Sequence, residues 1–122
     1  MSFKSNTLLN LTKISLYCFP ISLMIGSLIV NLNILIFIVL GITFSIFNKI
    51  KFHFNLINIY LLIFFFIIII SSYINLNEIG KENFINSILL IKFYLFYIVF
   101  ENLCKNSNFE LKYFFYICFY SI

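Results

Sequence analysis

The sequence predicts an all-α polytopic transmembrane helix bundle of four spans plus a truncated fifth, with the N-terminus in the cytoplasm. Three observations carry that prediction. Mean hydropathy is +1.10, with 63% hydrophobic and 10% charged residues, a balance that fits neither a soluble domain nor a disordered tail. Long apolar runs are parted by short polar connections, and pairs of lysines recur on every second connection. The chain has no Ala, Arg, Asp, Gln or Trp and is crowded with Ile, Phe, Asn, Lys and Tyr, a bias expected of an AT-rich genome. Its 18 Phe and 8 Tyr are therefore given no functional weight.

The first span, residues 13–30, follows Lys4 and Lys13 and can cross a hydrocarbon core about 30 Å thick. It has no small-residue cleavage site and another span follows directly, so it reads as an anchor and not as a signal peptide. Pro20 removes a backbone donor and frees the carbonyl of Leu16, which predicts a kink. Ser22 and Gly26 form a small-xxx-small pair in this span; Gly41 and Ser45 form another in the second, residues 33–47, which reaches across only by including its flanks. A three-residue turn at 31–33 should join the two as a close antiparallel hairpin, whose kink has either a packing role or the shaping of a groove for a lipid substrate.

The third span, residues 56–74, carries Tyr60 and Tyr73 near its ends, where amphipathic rings favour the interface. The fourth is residues 87–103. Connections 48–55, 75–86 and 104–112 leave no room for a soluble domain, so residues 1–122 are expected to form one transmembrane region. The final run, 113–122, is ten residues of apolar sequence with no closing polar flank, enough for about 15 Å of helix. It leads to the expectation of the N-terminal fragment of a larger membrane protein, completed by missing downstream helices or by a partner membrane subunit.

Orientation follows from the lysines, because short cytoplasmic loops carry excess Lys and Arg. Lys4 and Lys13, Lys49 and Lys51, and Lys105 and Lys112 fall on one side; the turn at 31–33 and the 75–86 connection, where Lys81 is flanked by Glu78 and Glu82, fall on the other. Other polar residues carry little chemistry. Cys18, Cys104 and Cys118 make no CxxC pair and are odd in number, so neither a metal site nor a disulfide framework is expected. His53 sits among Lys49 and Lys51 without a carboxylate or a second His, and Glu78 with Glu82 reads as a solvated loop. The acceptor-like Asn10-Leu11-Thr12 lies on the cytoplasmic side and is a chance match. No cofactor, metal or nucleic-acid partner is expected, and the lipid bilayer is the one partner that composition requires.

Lys92 is the sharp exception, a cation within SILLIKFYLFYIVFENL. A charge at the centre of a span costs about 2.5–3.5 kcal/mol on an insertion scale. Its neighbours at i±3 and i±4 are Ile88, Leu89, Leu95 and Phe96, all apolar, and Glu101 lies close to the opposite face. Either a group on another helix or a ligand meets the charge, or the flexible stem snorkels about 9 Å to the headgroups.

The hairpin FPISLMIGSLIVNLNILIFIVLGITFSIF, a third span ending in Ser71-Ser72 and a fourth entered through NSILLIKFYLFYIVF resemble the N-terminal spans of the O-antigen polymerase and O-antigen ligase family over about residues 14–105. That family commonly has arginine where this chain has Lys92, which keeps the charge and loses the bidentate fork. The resemblance implies a multi-pass protein of the bacterial inner membrane that transfers or polymerises undecaprenyl-diphosphate-linked glycans in lipopolysaccharide or surface polysaccharide biosynthesis. It makes Lys92 a candidate diphosphate contact. The large periplasmic loops with the family's catalytic Arg and His would follow residue 122, so no catalytic residue is assigned and the fragment should be inactive alone. A small non-catalytic membrane subunit or a transporter fragment, with Lys92 paired to a partner's acid, is the alternative.

Overall fold

The computed structural model describes residues 2–52, 54–106 and 111–120, and within them every regular element is an α-helix. His53 and the final two residues lie outside the described residues, as does part of the 104–112 connection. Contacts divide the chain into two compact units: residues 1–51 with 99–122, and residues 52–98.

The first unit opens with α1 (Ser2–Tyr17) and α2 (Phe19–Ile25). The helix starts well before residue 13, and the Thr12 hydroxyl is satisfied by donating to the Leu8 carbonyl at 2.7 Å. A turn at Cys18 separates α1 from α2, and residues 6–17 and 19–25 are bent by 42°. Pro20 lies in the first turn of α2, where its missing N–H costs no bond within that helix but leaves Leu16 without its usual i+4 donor.

The chain then reverses at Gly26 and not at 31–33. α3 (Ser27–Phe47) runs without interruption through Asn31, Leu32 and Asn33, so the second span is 21 residues long and the first ends near Ile25. Two physical causes account for the shift. Gly26 has φ 142° and ψ 169°, a region open essentially to glycine alone. Asn33 is tolerated inside the helix because its side chain bonds back across the hairpin to Ser15 and Ser22. Ile34, Phe37, Ile38 and Phe44 form the buried face of α3, with Leu16 contributed by α1.

In the second unit, α4 (Leu56–Ile74) is followed by the one-turn α5 (Leu76–Ile79), Gly80 at φ 84°, and α6 (Lys81–Leu89). Most of the expected 75–86 connection is thus helical. Glu82 in the first turn of α6 suits the positive end of the helix dipole, which favours an early helix start. After a turn at Leu90, α7 (Ile91–Asn106) continues, its residues from Val99 belonging to the first unit. The last described helix is α8 (Leu111–Tyr120), with Tyr113 edge-on to Tyr17 at 6.4 Å in the first unit. Three helical stretches, Ser27–Phe47, Leu56–Ile74 and Lys81–Lys105, are long and apolar enough to cross a membrane, and the bent pair at 6–25 makes a fourth if it counts as one span.

Candidate functional site

Lys92 occupies the second position of α7, immediately after an irregular turn. There the Leu90 N–H is shared between the carbonyls of Asn86 at 3.1 Å and Ser87 at 3.3 Å, and the Phe93 N–H donates to Leu90 O at 3.0 Å. The latter is a tightened i→i−3 step of the 3₁₀ kind. The lysine is half-buried, and its Nζ stands 5.3 Å from the centroid of the Phe93 ring. A cation held over an aromatic face at that distance gains about 0.5–2 kcal/mol, part of what its desolvation costs. The i±3 and i±4 pattern missed this contact because Phe93 is the adjacent residue; the flexible stem has to fold along the helix to reach it.

An apolar cavity of about 130 Å³ lies beside the same stretch, lined by Leu62, Phe65, Phe66 and Ile69 of α4 with Ile91 and Tyr94 of α7. Tyr94 packs its ring on Phe65 at 6.0 Å, and its hydroxyl is buried with no hydrogen bond among the described residues, which carries a desolvation cost. Lys92 does not share that face. Successive residues of a helix are about 100° apart, so Ile91 and Tyr94 make one stripe and Lys92 projects well round from it. At the end of α4, Ser72 and Ser87 share a 2.6 Å hydrogen bond that ties α4 to α6.

The small residues of the first two spans are used in ways that spacing alone does not indicate. Ser22 is buried, donates to the Phe19 carbonyl at 2.6 Å and receives the Asn33 amide at 3.5 Å; Ser15 donates to Asn33 Oδ1 at 2.7 Å. One asparagine therefore holds a serine on each side of the bend. Gly26, four residues from Ser22, has open space where a Cβ would sit, so its role is conformational and not close packing. Gly41 does the opposite: a Cβ there would collide with Val99 Cγ1. Four residues on, Ser45 donates to the Gly41 carbonyl at 2.9 Å and accepts from Asn102 Nδ2 at 3.2 Å. The Gly41–Ser45 pair thus receives α7 at Val99, Asn102 and Leu103. Interhelical hydrogen bonds of this kind average about 0.6 kcal/mol in lipid, so the close approach weighs more than the bond.

The cysteines are thiols, Cys18 exposed and the other two half-buried, and among the described residues no three His, Cys, Asp or Glu side chains gather as a metal site. The Glu78 side chain lies outside what the structure describes. No protein-family profile, curated protein or solved structure matches this chain.

Proposed function

We propose that this chain is a multi-pass component of the bacterial inner membrane that contacts an undecaprenyl-diphosphate-linked glycan through Lys92, in the manner of the O-antigen polymerase and ligase family that its sequence resembles. The bent pair 6–25, α3, α4 and the α6–α7 stretch serve as four spans, α8 lies in a fifth, and the N-terminus is cytoplasmic. One observation carries the reading: a lysine stands within the apolar run 88–100, directly after an irregular turn and against an aromatic ring. Such a cation is expensive to retain unless it has a use. An ammonium donates charge-assisted hydrogen bonds to diphosphate oxygens as a point charge, without the planar fork of an arginine. The residues that would transfer sugar are not assigned to this chain.

The test is photo-crosslinking of the membrane-embedded protein to a diazirine-bearing undecaprenyl diphosphate glycan. Hydrogen bonds to charged groups are worth about 1.5–3 kcal/mol, so Lys92→Met should lower labelling by about tenfold or more. Lys92→Arg should keep most of it. Equal labelling of the wild type and Lys92→Met would mean that the residue only snorkels, and the reading would fall.

A second reading, a non-catalytic membrane subunit, rests on α4, whose Ile57, Ile63, Phe64, Ile67 and Ile70 are all exposed. A helix apolar all round packs against lipid or further helices. Purification in mild detergent as a stoichiometric complex with another membrane protein, together with glycan labelling indifferent to Lys92, would favour it.

A further inference from the structure

We infer that Lys49, Lys51 and Lys105 form a binding site for the headgroup of an anionic phospholipid at one end of the first unit. The anchor is the buried hydrogen bond from Asn102 Nδ2 to Ser45 Oγ at 3.2 Å, beside the close approach of Gly41 and Val99. Lys49 lies four residues beyond Ser45 and Lys105 three beyond Asn102, so each emerges within about one helical turn of the pinned pair. Lys51 follows two residues later, and all three lysines are exposed. Glu101 meets Lys105 at 2.6 Å, leaving three ammonium groups to one carboxylate in this cluster. Lys105 retains further N–H donors for a phosphate oxygen.

The backbone fixes where Lys49 leaves the helix. α3 closes with the Lys49 N–H on Ile46 O at 3.1 Å and the Ile50 N–H on Ser45 O at 2.9 Å, a Schellman-type closure. The left-handed position of that closure, φ 51°, is Lys49. Glycine is the usual occupant because it has no Cβ to clash, so a lysine is kept at some expense of stability.

A lipid, and not a dissolved anion, is the occupant because of where the helices stop. Two candidate spans end at Phe47 and Lys105, so the cluster sits where both leave the hydrocarbon and phosphodiesters are concentrated. Lysine stems lie along the apolar surface while their heads reach that layer.

The experiment uses the whole chain in nanodiscs of phosphatidylcholine mixed with phosphatidylglycerol, extracted gently and examined by native mass spectrometry for retained lipid. Phosphatidylglycerol should be retained in preference to phosphatidylcholine. Each lysine lost should lower that retention about fivefold, so Lys49→Gln with Lys51→Gln should nearly abolish it. Lys49→Gly separates binding from folding: relief of the left-handed strain should raise thermal stability while retention falls. Lys81→Gln, outside the cluster, should change nothing. Equal retention of the two lipids, full retention by Lys49→Gly, an equal loss from Lys81→Gln, or displacement of the lipid by inorganic phosphate would each overturn the assignment.

Discussion

Replacing Gly41 by alanine adds one carbon, and the structure specifies what that carbon meets. Val99 Cγ1 already occupies the place, and Leu103 Cδ1 lies 3.6 Å away. Valine cannot swing aside cheaply, since a β-branched side chain in a helix has one strongly preferred rotamer. Val99 and Leu103 are 2% and 1% exposed, so the displaced methyl cannot simply turn outward from the helix contact. The helices must part. The Asn102–Ser45 bond, at 3.2 Å, has only a few tenths of an ångström to give before it ceases to count as one. Overpacking of this kind costs about 1–3 kcal/mol, a change of about 5- to 150-fold in the ratio of folded to unfolded protein. The chain has no tryptophan, so unfolding is best followed by far-ultraviolet circular dichroism in mixed micelles of rising SDS fraction. Val99→Ala removes the colliding methyl, so the double variant should be less destabilised than the sum of the two single ones, with a coupling of about 0.5–3 kcal/mol. A neutral Gly41→Ala, or strictly additive losses, would refute the reasoning.

Gly26→Ala should cost about 1–3 kcal/mol in the same assay although nothing stands within 4 Å of the added carbon, because the penalty is one of backbone conformation. A variant as stable as the wild type would show that the hairpin apex tolerates an ordinary residue. For topology, the proposed orientation puts residue 81 outside, so Lys81→Cys in an otherwise cysteine-free chain should react with an impermeant maleimide added from the outer side. Reaction only after the cytoplasmic face is opened would reverse the orientation.

The helical class was legible because apolar runs of this length leave the backbone few options; their boundaries were not. Reading Asn31–Leu32–Asn33 as a turn treats every polar residue in an apolar run as an exit from it, whereas Asn33 stays in the helix by bonding Ser15 and Ser22. Those partners lie 18 and 11 residues away, beyond any local pattern. Gly26 was visible, but as half of a small-residue pair, and spacing cannot distinguish a glycine kept for its φ from one kept for its size. Gly41 is the second kind, and its partner 58 residues on, Val99, has no signature in the sequence. Lys92 was conspicuous by charge alone; the turn at Leu90 before it follows an unremarkable run of leucine and isoleucine and gave no sign.

The single-residue link at Gly26 has a consequence for any reagent arriving from that side. Proteases draw an extended stretch of backbone into their clefts and antibodies grip protruding loops, and here one extended residue joins two helices, the first ending at Ile25 and the second beginning at Ser27. A one-residue link offers neither kind of probe much backbone to hold, so a cysteine placed beside it, at the exposed Met24 or Leu28, is the better handle on this end of the hairpin.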